Sequence, residues 1–349
     1  YSFSGNSSEL EANNSNYTSE DLAPPEYMYA YVTVCNVVIF LVGVIGNVMV
    51  LLVMVRMRVM RTRVNYFFAS LSAADLLVLI VCQPSAMLEF YTREQWLLGH
   101  FMCKLIPFLE HWSLHASVLT LLLIGFDRYF LICRPQSRPS PTYTWLPLLP
   151  VWILSCFSAI PFIFLTRFDI ENRVDGTHAE ACVTEANKLH SRIFVAVIFG
   201  LTFVLPLVLL IFIYTSVIRA LRRLGGGESL CMKGIANKEN PEYGIHPSTA
   251  RSRRQVTRMM VAIVVLFFVC LMPFKILTMW LTFDPGQNLT DLGYEPYYNL
   301  LSISRLVTYI NSAGNPVIYA WMSPRFRRAF SLSLPRCKER SEMKAYYMN

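Results

Sequence analysis

The sequence predicts an all-α membrane protein: a bundle of seven transmembrane helices followed by a short amphipathic eighth. Three observations carry this. Only 15% of the 349 residues are charged and 54% are hydrophobic, whereas a soluble domain carries about a quarter charged residues. The apolar residues come in blocks, and a bilayer crossing needs roughly 20 in a row. Lys and Arg gather between alternate blocks, 23 of 31 on one side, which marks that side as cytoplasmic. Two soluble domains would fit the length but would not need blocks of this size.

Four uncharged runs are long enough to cross: Tyr27 to Val55, Pro139 to Thr166, Ile193 to Ile218 and Leu306 to Pro324. Three more carry an internal charge: Asn65 to Leu88 holds Asp75, His100 to Cys133 holds Glu110 and Asp127, and Met259 to Phe283 holds Lys275. The expected organisation is an extracellular tail over 1–29, the bundle over 30–322 with a third cytoplasmic loop at about 222–252, and an amphipathic helix with its tail over 323–349. That loop contains Gly225-Gly226-Gly227 and scattered polar residues and reads as flexible.

An odd number of spans puts the two termini on opposite sides. The N-terminal segment has five acids and no Lys or Arg, while the C-terminal tail is basic. The expectation is therefore a multi-pass protein of the plasma membrane with its N-terminus outside. Glycosylation acceptors at Asn6, Asn13, Asn16 and Asn288 fit extracellular segments. No basic and apolar leader precedes Ser2, and the chain is expected to be a fragment. The net charge of +8 is a topology signal and a landing surface for anionic lipid or a cytosolic partner, not a nucleic-acid footprint.

An ionisable group at bilayer depth costs about 2.5 to 3.5 kcal/mol, so each asks for a partner or a wet cavity. Asp75 sits mid-span, and Asn47, Ser117, Asn311 and Asn315 can point inward at similar depth. They can hold a sodium ion, since oxygen ligands suit hard cations, or serve as helix-packing glue alone. Nearer the outside, Glu110, Lys275 and Arg305 converge in a bundle, with Glu110 pairing with Arg305 or Lys275. Gln83, His111, Thr278, Met279, Ser302 and Tyr309 surround them, as a ligand pocket or as the setting of an interhelical salt bridge.

Asp127-Arg128-Tyr129 ends the third span. An Arg there can hold its own Asp in one state and face a cytosolic partner in another, or simply snorkel. Asn315-Pro316-Val317-Ile318-Tyr319 ends the seventh, where Pro316 removes a backbone donor and Asn315 can satisfy the freed groups. Pro84, Pro161, Pro206 and Pro273 interrupt four other spans. Phe326 and Phe330, four apart among arginines, predict a short helix on the inner leaflet.

Of nine cysteines, Cys103 and Cys182 alone fall at positions facing the oxidising exterior and are expected to pair. Cys337 is a candidate for palmitoylation. His111 and His115 have metal-bridging spacing but no further ligands, so no metal site other than the sodium candidate is expected. No Walker A loop and no Gly-x-Ser-x-Gly elbow occur, and an enzyme is not expected.

Gly46-Asn47, Leu71-Ser-Ala-Ala-Asp75, Trp96-Leu-Leu-Gly99 before Cys103, Asp127-Arg128-Tyr129, Trp152, Pro206 with Tyr214, Phe267 with Pro273, and Asn315-Pro-Val-Ile-Tyr319 together resemble the rhodopsin-like, class A G-protein-coupled receptors. The resemblance covers every span. It implies ligand binding outside and nucleotide exchange on a heterotrimeric G protein inside, with arrestin and a receptor kinase as further partners. By position it makes Asp127, Arg128 and Tyr129 the switch, has Tyr214 and Tyr319 rearrange towards Arg128, and likens Asp75, Ser117, Asn311 and Asn315 to the family's sodium pocket. One departure stands out: where the family mostly has Cys-Trp-x-Pro in the sixth span, this chain has Cys270-Leu271-Met272-Pro273. Arg253 and Arg254 also stand where some relatives place an acid.

Glu110 stands where amine receptors of the family carry Asp. The third span looks like that of the ghrelin, neuromedin and thyrotropin-releasing-hormone receptors. That resemblance implies a neuropeptide or peptide hormone with a basic or amidated end. The alternatives are a chemosensory or lipid ligand on the same fold and, more distantly, a transporter, which would show coupled halves.

Overall fold

A computed structural model describes residues 24–93, 95–134, 145–172, 178–184, 188–225, 247–283 and 293–333. The candidate modification sites Asn6, Asn13, Asn16, Asn288 and Cys337 lie outside the described residues. Helix α1 covers Glu26–Arg56, α2 Arg63–Tyr91, α3 Gly99–Cys133 and α4 Leu148–Leu165. Two strands follow, β1 at Thr166–Asn172 and β2 at His178–Thr184. Helix α5 consists of Leu189–Phe199, a π-helical turn Gly200–Val204 and Leu205–Gly225. Then come α6 at Pro247–Phe283, α7 at Tyr294–Met322 and α8 at Pro324–Ser333.

Among the described residues six helices, α1 to α6, are long and apolar enough to cross a membrane. Helix α7 is more polar, with Arg305, Asn311 and Asn315 along it, and takes its place in the bundle by packing on α1 and α6. It begins at Tyr294, well before the uncharged run that starts at Leu306; one face of these outer turns, Tyr298, Leu301, Ser302 and Ser304, is buried, while Glu295, Leu300 and Ile303 are exposed. Helix α4 begins at Leu148 and not at Pro139; Pro147 stands at its N-cap, and residues 135–144 are not described. Helix α5 runs to Gly225 and α6 starts at Pro247, so both take in part of the stretch read as a third cytoplasmic loop at about 222–252, and residues 226–246 lie outside the described residues.

Two of the prolines act through a wider turn. Pro84 clashes with the carbonyl four residues back and has no N–H to offer it. The turn Val78–Cys82 opens to π geometry there, with Gln83 N–H reaching the Val78 carbonyl. Pro206 has the same relation to Gly200–Val204, where Leu205 N–H reaches the Gly200 carbonyl.

Small residues let helices approach closely. A Cβ on Gly46 of α1 would lie 2.7 Å from Pro316 Cβ of α7, and one on Gly314 would lie 2.5 Å from a Leu266 methyl of α6. Polar cross-links help: Trp152 Nε1 donates to Ser70 Oγ at 3.0 Å, and Ser70 lies 3.3 Å from Thr120 Oγ1, so α2, α3 and α4 are tied at one level.

The inner end is aromatic. Phe68, Tyr319 and Phe326 pack with ring centroids 4.7 to 6.1 Å apart, joining α2, α7 and α8. Phe326 is therefore buried against the bundle rather than directed to the leaflet, and Phe330 is half-buried. Ser323 begins α8: its Oγ accepts from Phe326 N at 3.4 Å, and Pro324 takes the first helical position, where its missing N–H costs nothing.

Strands β1 and β2 form an antiparallel hairpin, with Phe168 opposite Cys182. The Cys103–Cys182 disulfide fastens β2 to the top of α3, and Trp96 N donates to the Glu180 carbonyl at 2.7 Å. The hairpin is thus fixed over the outer end of the bundle.

Candidate functional site

Beneath the hairpin lie two adjoining cavities. The larger, about 1090 Å³ counted to its open mouth, is lined by Glu110 and His111 of α3, Lys275, Thr278 and Met279 of α6, and Thr184 of β2. The other, about 560 Å³, is lined by Glu110, Glu89, Arg305, Tyr309 and the hairpin's Cys182. Glu110 stands on the wall of both. Lys275 shares the larger cavity with it, and the two make no ion pair with each other among the described residues.

Arg305 departs from the expected pairing. Its Nη1 meets Glu89 Oε2 of α2 at 3.1 Å, so Glu89, not Glu110, is the carboxylate of the α7 salt bridge. The apolar run of the second span ends at Leu88, whereas α2 continues to Tyr91 with Glu89 buried. An acid one residue beyond an apolar run was the available signal.

Gln83 is also relocated. It is 2% exposed, and its Nε2 donates to Asn36 Oδ1 at 2.8 Å and to the Asn36 carbonyl at 3.0 Å. It joins α2 to α1 instead of facing the ligand cavities, because the π turn just before it sets its direction. Ser302 lines a third cavity of about 450 Å³ between α1, α2 and α7, together with Arg305 and Tyr309. His111 stacks on Phe162 of α4 with ring centroids 3.4 Å apart, and His115 Nδ1 meets Ser158 Oγ at 2.7 Å. The two histidines are thereby engaged with α4. Among the described residues no group of three or more metal-binding side chains occurs.

Deeper in the bundle, Asn315 Nδ2 donates to Asp75 Oδ2 at 2.8 Å. Asn47 Nδ2 donates to the Gly43 and Ser312 carbonyls, each at 2.9 Å. Ser117 and Asn311 are buried on the same cavity wall as Asp75. Asn311 Oδ1, Asn315 Oδ1 and Ser72 Oγ are buried without a hydrogen-bond partner. A carboxylate among unsatisfied oxygens is a donor set suited to a hard cation.

At the opposite end, Arg128 Nη2 meets Asp127 Oδ2 at 3.0 Å, and Arg63 Nε approaches Asp127 Oδ1 at 3.5 Å. Asp127 therefore faces two arginines. Tyr129 beside them packs edge-on to Phe130. Tyr214 and Tyr319 are buried, each with a hydroxyl lacking a partner, so both can take a new one if the helices shift. Asn315 and Pro316 are buried one turn above Tyr319. Helix α6 is held by neutral acceptors: Arg254 Nη2 donates to the Leu221 carbonyl of α5 at 3.2 Å, and Gln255 Nε2 to the Met322 carbonyl of α7 at 2.8 Å.

Comparison with known proteins agrees with this geometry. The family model described as 7 transmembrane receptor (rhodopsin family) matches residues 46–319. A QRFP-like peptide receptor of Branchiostoma floridae is 31% identical, over 86% of this chain and 76% of its own length. G-protein coupled receptor 54 of Oreochromis niloticus is 28% identical, over 85% of this chain and 76% of its own.

Proposed function

The chain belongs to the rhodopsin family of seven-transmembrane receptors, and from that premise we propose that it binds an extracellular peptide and drives nucleotide exchange on a heterotrimeric G protein. As a member of that family it is a multi-pass membrane receptor and not an enzyme. The observation that carries the ligand reading is the pair of opposite charges, Glu110 and Lys275, on the wall of one cavity. A peptide offers the donors and acceptors to meet both. The name of the Branchiostoma floridae relative supports the same class.

In this reading the N-terminus and the hairpin face outward at the plasma membrane, and the Arg128 end meets the G protein and then a receptor kinase and arrestin. Anionic lipid meets the basic cytoplasmic turns. Agonist needs only to bind the open-bottomed state better than the closed one. The oxygens of Asp75, Ser117, Asn311 and Asn315 fit a sodium ion, which would offset the buried carboxylate. Screening an amidated-peptide library in cells that report several G-protein classes tests the proposal. A peptide whose potency falls on Glu110→Gln at equal surface expression supports it, and substrate flux without nucleotide exchange would replace it with a transporter.

A further inference from the structure

Asp127 lies between two cations supplied by different helices. Arg128, its neighbour on α3, reaches Oδ2 with Nη2 at 3.0 Å, and Arg63, the first residue of α2, approaches Oδ1 with Nε at 3.5 Å. The two contacts are unequal. Arg128 makes a hydrogen bond, whereas Arg63 Nε is buried and hydrogen-bonds to nothing among the described residues. Arg63 therefore keeps a donor unused, a short shift away from the carboxylate.

Arg63 is also fixed independently of Arg128. Arg61 donates from Nε to the Met54 carbonyl at 3.2 Å and from Nη2 to the Val55 carbonyl at 2.7 Å, which ties the turn before α2 to α1. Asn65 Nδ2 donates to the Met60 carbonyl at 2.7 Å, and Thr62 Oγ1 accepts from Asn65 N at 3.4 Å as the cap of α2. None of these bonds involves α3 or α6, so movement of either leaves Arg63 in place. A cation in the first turn of a helix opposes the helix dipole, and the Asp127 carboxylate across from it offsets that misfit. Asp127 is itself only 7% exposed. A carboxylate so far removed from water is costly once its cation leaves, and the switch at this end of the bundle requires Arg128 to leave.

We propose that Arg63 is a positioning residue of the cytoplasmic switch: it keeps Asp127 charge-paired when Arg128 turns towards the G protein, and so makes that turn cheaper. In the resting arrangement the carboxylate is shared, so Arg128 is held less tightly than by a partner of its own. In the open arrangement Asp127 closes onto the idle Nε of Arg63. Arg63 touches neither ligand nor G protein in this scheme; it shifts the balance between the two states.

The signalling half of this proposal rests on the receptor reading, and the shared carboxylate does not, so the two are tested apart. The purified full chain is melted as Arg63→Met, Arg128→Met, the double variant, and the double variant with Asp127→Asn. Each single variant is expected to lose about 1 °C, because the other arginine still holds the carboxylate, and the double variant about 5 °C beyond the sum. Asp127→Asn should recover most of that excess, and Arg63→Lys in the Arg128→Met background should avoid it. In cells, Arg63→Met is expected to lower basal and agonist-stimulated nucleotide exchange about threefold at equal surface expression, with Arg63→Lys restoring it. In an Asp127→Asn background Arg63→Met is expected to do nothing further, an outcome that a merely structural role would not give. Additive melting losses overturn the sharing. An excess loss together with full exchange in Arg63→Met overturns the positioning role. Excess loss in a chain that drives no exchange in any form would support the shared carboxylate and count against the receptor reading.

Discussion

Arg305 of α7 holds Glu89 of α2 across 3.1 Å, closing the outer ends of two helices that are far apart in sequence. Both side chains are largely removed from solvent, 17% and 10% exposed. Removing one partner of such a pair strands the other, at a cost on the order of 3 kcal/mol. Arg305→Ala and Glu89→Ala should each lower the Tm of purified receptor, and the double variant should lose less than the sum of the two. Additive losses in that cycle would mean that the two residues are not coupled.

Gln255 ties α6 to the last turn of α7 through the Met322 carbonyl. The bond is exposed, so its net contribution is small, about 0.5 kcal/mol. Gln255→Leu should still raise basal nucleotide exchange roughly twofold if outward movement of α6 opens the G-protein face. Unchanged basal exchange at matched surface expression would show that this contact does not restrain α6.

Gly46 admits Pro316 at a distance that leaves no room for a side chain. Gly46→Val should force α1 away from α7 at a cost of about 1–3 kcal/mol. Surface expression and Tm should both fall, while Gly200→Ala, where nothing lies within 4 Å, should have no packing effect. Equal damage from both would remove packing as the cause.

Cys182→Ser frees β2 from α3 and opens a loop between cysteines 79 residues apart. Loss of that closure should destabilise the receptor by roughly 2–5 kcal/mol. Ligand potency should fall more than Tm alone accounts for, because the hairpin bearing Thr184 also walls the cavity. A loss of Tm at full potency would limit the hairpin to a structural role.

Lys275→Met removes the ammonium from the wall shared with Glu110. If both charges read the ligand, Lys275→Met and Glu110→Gln should each reduce potency about tenfold, as for a charged hydrogen bond of about 1.5 kcal/mol. Titration of agonist-stimulated exchange measures this; indifference of both variants would place the ligand elsewhere.

Much of the bundle was legible because bilayer crossing imposes length and apolarity on the chain. Asp75 beside Asn315 and Arg128 beside Asp127 are met in the structure at 2.8 and 3.0 Å. Other features had weaker signals. The alternation of Phe168 and Ile170 with Arg167, Asp169 and Glu171 in β1 is the trace that the strand leaves in the sequence, but it is short and without a turn signal that fixes its partner. Glu89 was missed because the apolar run of the second span ends at Leu88, one residue before it, and α7 was cut short likewise at the charge of Arg305. Gln83 was expected around the cavity with the other polar residues, and the π turn Val78–Cys82 that precedes it is not read from the sequence.

Those π turns also bear on how chains of this kind are aligned and engineered. Each holds one residue more than a regular turn, so the outer half of α2 is indexed by Val78–Cys82 and not by Asp75. Deleting a single residue there would rotate everything beyond it by about 100°, carrying Gln83 off Asn36 and Glu89 off Arg305 in one step. An alignment that threads a gapless helix through this stretch would mistake which residues of the outer bundle correspond.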